Sequence, residues 1–255
     1  MNFICEKNER EASSKAAEII AEVIKKKPDA VLGLATGSTP LDIYRELIKM
    51  YRRGELSFKA VRTLNLDEYV SLPPEHEQSY AHYMRTNLFD KIDILKENTH
   101  IPNGIASDLK EECRRYDSLI ESLGAIDVQL LGIGHNGHIA FNEPASFFSK
   151  STSLVALSDS TVKANSRFFD SESAVPTWAL TMGIGSILKA KRIILAAFGE
   201  GKAEILEKAL FGQITPNIPA SILQLYSGEL YICTDESAMS VIKSKHKKAK
   251  TSMKP

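Results

Sequence analysis

Two histidines, an amide and a carboxylate cluster in one short stretch, Gly134-His135-Asn136-Gly137-His138-Ile139-Ala140-Phe141-Asn142-Glu143-Pro144. A neutral imidazole titrates near working pH, and an acid close by can orient its ring, so His138 with Glu143 suits general acid–base chemistry. His135, His138 and Glu143 could alternatively be metal ligands. Their order, H-x-x-H-x-x-x-x-E, is not the helical H-E-x-x-H motif and no second ligand cluster stands nearby, so we read no metal site. A purely structural histidine pair is the bland alternative. Gly132-Ile133-Gly134-His135-Asn136-Gly137 also matches G-x-G-x-x-G, but proline and no helical run follow, which argues against a dinucleotide site. The glycines instead favour a sharp turn from which side chains project.

Three other places carry chemistry. In Thr36-Gly37-Ser38-Thr39-Pro40 a glycine permits close backbone approach, hydroxyls supply donors, and Pro40 suits the first position of a helix. The N–H groups of such a helix start form an anion site. The Lys of a nucleotide-binding P-loop is missing, so a whole nucleotide is not implied. Asp67, after Asn65-Leu66, is a candidate proton carrier; helix N-terminal acids are the ordinary reading for Asp67-Glu68. Arg167 and Lys202 are either surface cations or phosphate ligands, and Lys202 opens a helix just after a strand.

The elements that must position these residues repeat one grammar. An amphipathic helix is predicted from about Arg10 to Lys27, with Ala12, Ala16, Ile20, Val23 and Ile24 at helical spacing and Pro28 beyond it. Ala30 to Leu34 reads as a strand, followed by the Thr36–Pro40 loop and a helix through Tyr44, Leu47, Ile48 and Tyr51. Further strands are expected at Val61 to Leu66, Asp127 to Ile133, Ile193 to Phe198 and Leu230 to Cys233. Continuous apolar strands alternating with helices indicate an α/β fold: a doubly wound, mostly parallel Rossmann-like sheet with helices on both faces. In such sheets ligands sit outside the carboxyl ends of the strands, where the polar and glycine-rich stretches fall here.

The chain reads as one domain over residues 1–242, with a lid region at about 145–180. The stretch from Ala145 to Ser173 is rich in Ser and Thr, and loops of that length often cover a site. The tail at 243–255 holds six lysines and no aromatic platform for bases, so it reads as solvated and flexible. Lys plus Arg and Asp plus Glu number 32 each, so no global field draws the protein to nucleic acid or membrane. No secretory signal or spanning segment is evident. Three scattered cysteines without a C-x-x-C pair fit reduced thiols in the cytoplasm.

Taken together, Leu32 to Pro40, Asn65-Leu66-Asp67-Glu68-Tyr69, Gly132 to Pro144, Ala164 to Phe169 and Ala179 to Gly183 make the sequence similar to the glucosamine-6-phosphate deaminase family over roughly residues 1–240. The histidine turn continued by Phe141-Asn142-Glu143-Pro144 discriminates most, because the related phosphogluconolactonases share the turn but continue differently. The resemblance implies that Asp67 moves a proton from C2 to C1 of the open sugar. It also implies that His138 opens the ring with Glu143 orienting it, and that Gly37, Ser38, Thr39, Arg167 and Lys202 hold the phosphate. No metal or organic cofactor is implied, and the partner is a small-molecule sugar phosphate acted on by a monomer or small homo-oligomer.

Two departures stand out. Asn136 replaces an aspartate of several members, so an amide is expected to orient the imidazole without stabilising imidazolium by charge. Ser153 and Val155 fall where allosterically activated hexamers place a basic pair. Rival readings are an enzyme for another hexosamine phosphate, which differs by a few hydrogen bonds, and a non-catalytic sugar-phosphate sensor, which could dispense with Asp67 and His138.

Overall fold

The computed structural model describes residues 1–246. The chain begins with strand β1 (Asn2–Glu6) and helix α1 (Glu9–Lys26). The Asn8 side chain caps α1 by accepting the Glu11 N–H, glutamates occupy its first turn, and lysines its last. Next come β2 (Val31–Leu34), α2 (Leu41–Arg52), β3 (Arg62–Asn65), β4 (Asp67–Tyr69), α3 (Tyr80–Asn87) and β5 (Thr99–His100). Then follow α4 (Leu109–Leu123), β6 (Val128–Leu131), β7 (Ser153–Ala156), α5 (Asp159–Asn165), β8 (Trp178–Thr181) and α6 (Ile184–Ile187). The chain closes with β9 (Arg192–Ala197), α7 (Ala203–Phe211), β10 (Glu229–Asp235) and α8 (Ser240–Lys245). Pro40 is the N-cap of α2, one position before the expected place. The Lys-rich segment expected from 243 thus begins inside α8, and residues 247–255 lie outside the described residues.

Seven strands form a wholly parallel sheet in the order β1-β10-β9-β6-β2-β3-β5, with helices around it. From β2 the chain winds outward through β3 to β5, then returns to β6 on the other side of β2. The winding reverses between β2 and β6, and a crevice must open beyond their carboxyl ends. At the opposite ends Asp127 closes the sheet: its carboxylate accepts from Lys27 Nζ (2.7 Å), Lys191 Nζ (2.8 Å) and the Val31 N–H (2.9 Å). Val31, Leu32, Leu34, Leu64 and Ile193 to Leu195 are buried with Ile43, Tyr44 and Leu47 of α2. Each such side chain contributes about 1.5–3 kcal/mol by leaving water.

A second sheet, β4-β8-β7, is antiparallel and was not expected. The strand expected to end at Asp67 changes sheets at Leu66. Its N–H bonds to Leu34 O in the large sheet, and its carbonyl accepts from Met182 N beside the small one. The expected excursion at 145–180 is therefore pinned at both ends by β7 and β8. Only the stretch between those strands, with α5 and two short 3-10 turns, arches free of them. No helix of the described residues is long and apolar enough to cross a membrane.

Candidate active site

A cavity of about 530 Å³ opens where the winding reverses, lined from Thr36–Thr39, Asp67, Gly132–Asn136, His138, Arg167 and Lys202. Of the candidate catalytic and phosphate-binding residues, all line it except Glu143, which lies behind His138.

Asp67 enters at the seam between the two sheets. It is only 5% exposed, and among the described residues no group donates a hydrogen bond to its carboxylate. Burial, with the neighbouring Glu68 adding to it, pushes its pKa from an ordinary 3.8 to about 8. Adjacent strand residues point to opposite sides, so Glu68 turns away from the cavity. Its carboxylate accepts the N–H groups of Tyr69 (2.8 Å), Tyr80 (2.9 Å) and Ala81 (2.8 Å). The helix-end reading thus holds in part for Glu68, toward the start of α3. For Asp67, a strand residue, it does not.

The histidine turn explains its own spacing. Ile139 and Asn142 form an isolated antiparallel bridge, so the residues flanking it, His138 and Glu143, come face to face. Ala140 at the tip takes a left-handed φ of 51°, a strained setting for a side chain, costing ~1 kcal/mol or more. Gly134 is required because a Cβ there would stand 2.4 Å from His138 ring atoms. His138 Nδ1 lies 3.5 Å from Glu143 Oε1. Burial opposes the charge on Glu143, but His138 together with hydrogen bonds from Thr161 and Asn136 holds its pKa down at about 2. Glu143 is therefore a fixed anion.

Asn136 does not act on the imidazole as expected. Its Nδ2 donates to Glu143 Oε2 at 2.6 Å, and its Oδ1 accepts the His138 backbone N–H at 3.1 Å. An aspartate here would set two carboxylates against each other, whereas the amide supplies the donor Glu143 needs. The two histidines also part company. His135 faces Gly201 and Lys202, and the Lys202 charge, then burial, lowers its pKa. Among the described residues, no group of three His, Cys, Asp or Glu side chains comes together as a metal-binding set.

The cationic end of the cavity is built from three loops. Thr36–Thr39 follow β2, and Gly37 O is anchored by the Tyr83 hydroxyl at 2.6 Å. Arg167 lies over the Phe168 ring, 4.7 Å from its centroid, and Nη2 donates to Ser38 Oγ at 3.4 Å. Lys202 Nζ donates to Ile133 O at 2.8 Å, tying the end of β9 to the histidine turn. Burial, then the Arg167 charge, lowers the Lys202 pKa to about 8. Two cations, one of them desolvated, therefore face one cavity and repel each other. Lys202 is not a plain surface charge, whereas Arg167 is exposed at the rim of the same cavity.

The sequence reading missed Thr161, Ser158, Asn165 and Tyr80. Thr161 Oγ1 donates to Glu143 Oε1 (2.5 Å) and Ser158 Oγ to Glu143 Oε2 (3.2 Å). Asn165 Nδ2 reaches the Tyr69 hydroxyl (2.9 Å), and Tyr69 and Tyr80 pack with Phe141. A Ser/Thr-rich segment was visible, but nothing local says which hydroxyl meets a carboxylate brought from another loop.

Comparison with known proteins places this geometry. The family model for glucosamine-6-phosphate isomerases/6-phosphogluconolactonase matches residues 6–232. A glucosamine-6-phosphate deaminase of Lachnoclostridium phytofermentans is 54% identical over 88% of this chain and 95% of its own. One from Clostridium perfringens SM101 is 51% identical over 95% of this chain and 100% of its own. The solved structure of a monomeric glucosamine-6-phosphate deaminase superimposes with a TM-score of 0.92 at 48% identity, covering 94% of this chain and 100% of that one. A 6-phosphogluconolactonase from Trypanosoma brucei, 20% identical with a TM-score of 0.72 over 94% of this chain and 97% of its own, shares the fold. The chain belongs to the family of glucosamine-6-phosphate isomerases and 6-phosphogluconolactonases.

Proposed function

We propose that the protein converts glucosamine 6-phosphate to fructose 6-phosphate and ammonia. The observation that carries this reading is an unpartnered, buried carboxylate, Asp67, sharing one cavity with a two-cation anion site and an imidazole backed by a fixed anion. Deaminases about half identical over nearly the whole chain support the same reaction.

In this mechanism Gly37, Ser38, Thr39, Arg167 and Lys202 grip the phosphate, fixing the sugar so that C1 and C2 meet Asp67. His138 passes the O1 proton to the ring oxygen as the C1–O5 bond breaks, and the Glu143 charge stabilises the imidazolium formed on the way. The substrate's ammonium at C2 brings to Asp67 the opposite charge its pocket lacks, which draws the carboxylate into its ionised, basic form. Asp67 then removes the C2 proton and returns it to C1, while O1 takes up the proton that the ammonium gives up as the C2 imine forms. Water adds to the resulting C2 imine, and ammonia leaves as the ketone forms. The chain acts as one unit over residues 1–242, with the part of 145–180 between β7 and β8 as the lid. A cytoplasmic setting agrees with Cys5, Cys113 and Cys233, all free.

The direct test supplies glucosamine 6-phosphate to the purified protein and follows both products. Ammonia and fructose 6-phosphate should appear in equal amounts; ketose without ammonia, or neither, sinks the reading. Arg167→Ala and Lys202→Ala should each weaken apparent substrate binding by about 1.5–3 kcal/mol, the worth of a charged hydrogen bond. An unchanged KM in either variant returns that residue to the surface-cation class.

Kinetics should be hyperbolic, with no activation by N-acetylglucosamine 6-phosphate. An effector needs definite contacts in one state. Ser153 and Val155 lie on β7, and Val155 packs beside Tyr69, Phe141 and Leu157, leaving no basic pair for an effector phosphate. A monomeric structural relative agrees. A sigmoidal curve that the acetylated sugar makes hyperbolic would overturn this expectation.

A further inference from the structure

One short segment reaches three parts of the site. Ser158 caps α5 through the Thr161 N–H, and the hydroxyls of Ser158 and Thr161 both donate to Glu143. One turn later Asn165 donates to the Tyr69 hydroxyl, on the strand that carries Asp67. Two residues further, Arg167 reaches Ser38 in the anion loop. The segment lies between β7 and β8 and is tied to the rest of the cavity by these side-chain bonds and by packing of Leu157, Val162 and Phe169 beside Tyr69 and Phe141.

Of the groups around Glu143, Thr161 is the one placed to act through it. It is 4% exposed, its Oγ1 lies 2.5 Å from Glu143 Oε1, and the same atom is 3.5 Å from His138 Nδ1. Glu143 Oε1 therefore has Thr161 on one side and the imidazole on the other. Asn136, the third donor, holds the opposite oxygen from the rigid turn itself. Removing the turn's own donor would loosen Glu143 wherever the lid stood; removing Thr161 loosens it only from the lid.

We propose that Thr161 is a positioning residue that seats Glu143 against His138, so that gripping the phosphate at Arg167 and assembling the ring-opening pair are one movement of the same segment. The inference rests on the deaminase reading above. An anion at the Arg167 end holds the segment down, and Thr161, six residues earlier on the continuous run of α5 and the 3-10 turn that follows it, is held at Glu143 with it.

The test uses Thr161→Val, which keeps shape and loses the hydroxyl, with Thr161→Ser as the rescue. Expected for Thr161→Val is a fall in kcat of about 10- to 100-fold, the worth of one hydrogen bond to a charged group, with KM changed by less than about twofold. Thr161→Ser should return to within about threefold of the unaltered enzyme. In the double variant with Arg167→Ala, the kcat losses should overlap rather than multiply, because both residues act through one segment. Thr161→Ala, checked by circular dichroism, gives the same reading if Thr161→Val does not fold. Unaltered kcat, failure of Thr161→Ser to rescue, or independent multiplication of the losses overturns the inference while leaving the reaction intact. If the unaltered protein releases no ammonia from glucosamine 6-phosphate, it is the functional reading that fails.

Discussion

Asp67→Asn should fold, lose turnover by about a thousandfold, and unfold at a higher temperature than the unaltered protein at pH 8.5. The loss follows from removing the carboxylate proposed as the base, and general acid–base groups contribute about 10²–10⁴ in rate. The gain follows from linkage. The folded chain keeps the Asp67 proton up to a pKa of about 8, whereas the unfolded chain releases it near 3.8. Between these values the native state binds the extra proton, so stability is fully present below pH ~4 and falls as pH rises through 8. Asparagine has no proton to lose. Its advantage should be near zero at pH 4 and grow to the order of 2 kcal/mol by pH 8.5, allowing for relaxation and water entry. Thermal unfolding of both proteins across pH 4–9, with solvent-deuterium incorporation into the product, measures the two halves together. An inactive variant with no pH-dependent stability gain would mean that Asp67 is ionised in the free enzyme. A fully active one removes it as the base.

Glu143→Gln should have the opposite sign in stability and a comparable direction in rate. The Glu143 carboxylate is held at a pKa of about 2 against an ordinary 4.5, so its bonds stabilise the fold above pH ~4.5 and are lost as pH falls toward 2. The neutral amide removes this at neutral pH, costing about 1–2 kcal/mol, and leaves a forming imidazolium on His138 without its counter-charge. We expect kcat to fall about 100-fold while KM moves little, since the groups proposed to grip the phosphate lie elsewhere. Steady-state kinetics and unfolding at pH 7 check both. A Glu143→Gln enzyme with normal kcat would make Glu143 a support of the turn alone.

The parts of this molecule legible in the sequence are those written in local pattern. The helical spacing of Ala12, Ala16, Ile20 and Val23 and the apolar run at Ile193 to Leu195 each specify an element by themselves. The loops after such strands had to meet at their carboxyl ends, so Asp67, His138 and Lys202 could be assigned to one site before any contact was known. The small sheet was not legible. Asp67-Glu68-Tyr69 has no alternation of its own, and pairs with residues more than a hundred positions away through β8. Nor could spacing show that Asn136 serves Glu143 rather than the imidazole, because that depends on the tight bridge of Ile139 with Asn142. Thr161 was one hydroxyl among many.

The change of sheets at Leu66 has a consequence for how such a molecule diverges. The loop at Thr36–Thr39, the histidine turn and Lys202 all hang from the parallel sheet, whereas the base and the arch bearing Arg167 hang from the antiparallel one. A lineage could therefore lengthen, shorten or replace the arch, or retire the carboxylate at position 67, without disturbing the strands that carry the Thr36–Thr39 loop and Lys202. Each frame thus carries one part of the proposed phosphate grip and one part of the proposed proton-moving machinery, and the two are stitched together where Leu66 meets Met182 and Phe141 meets Thr181.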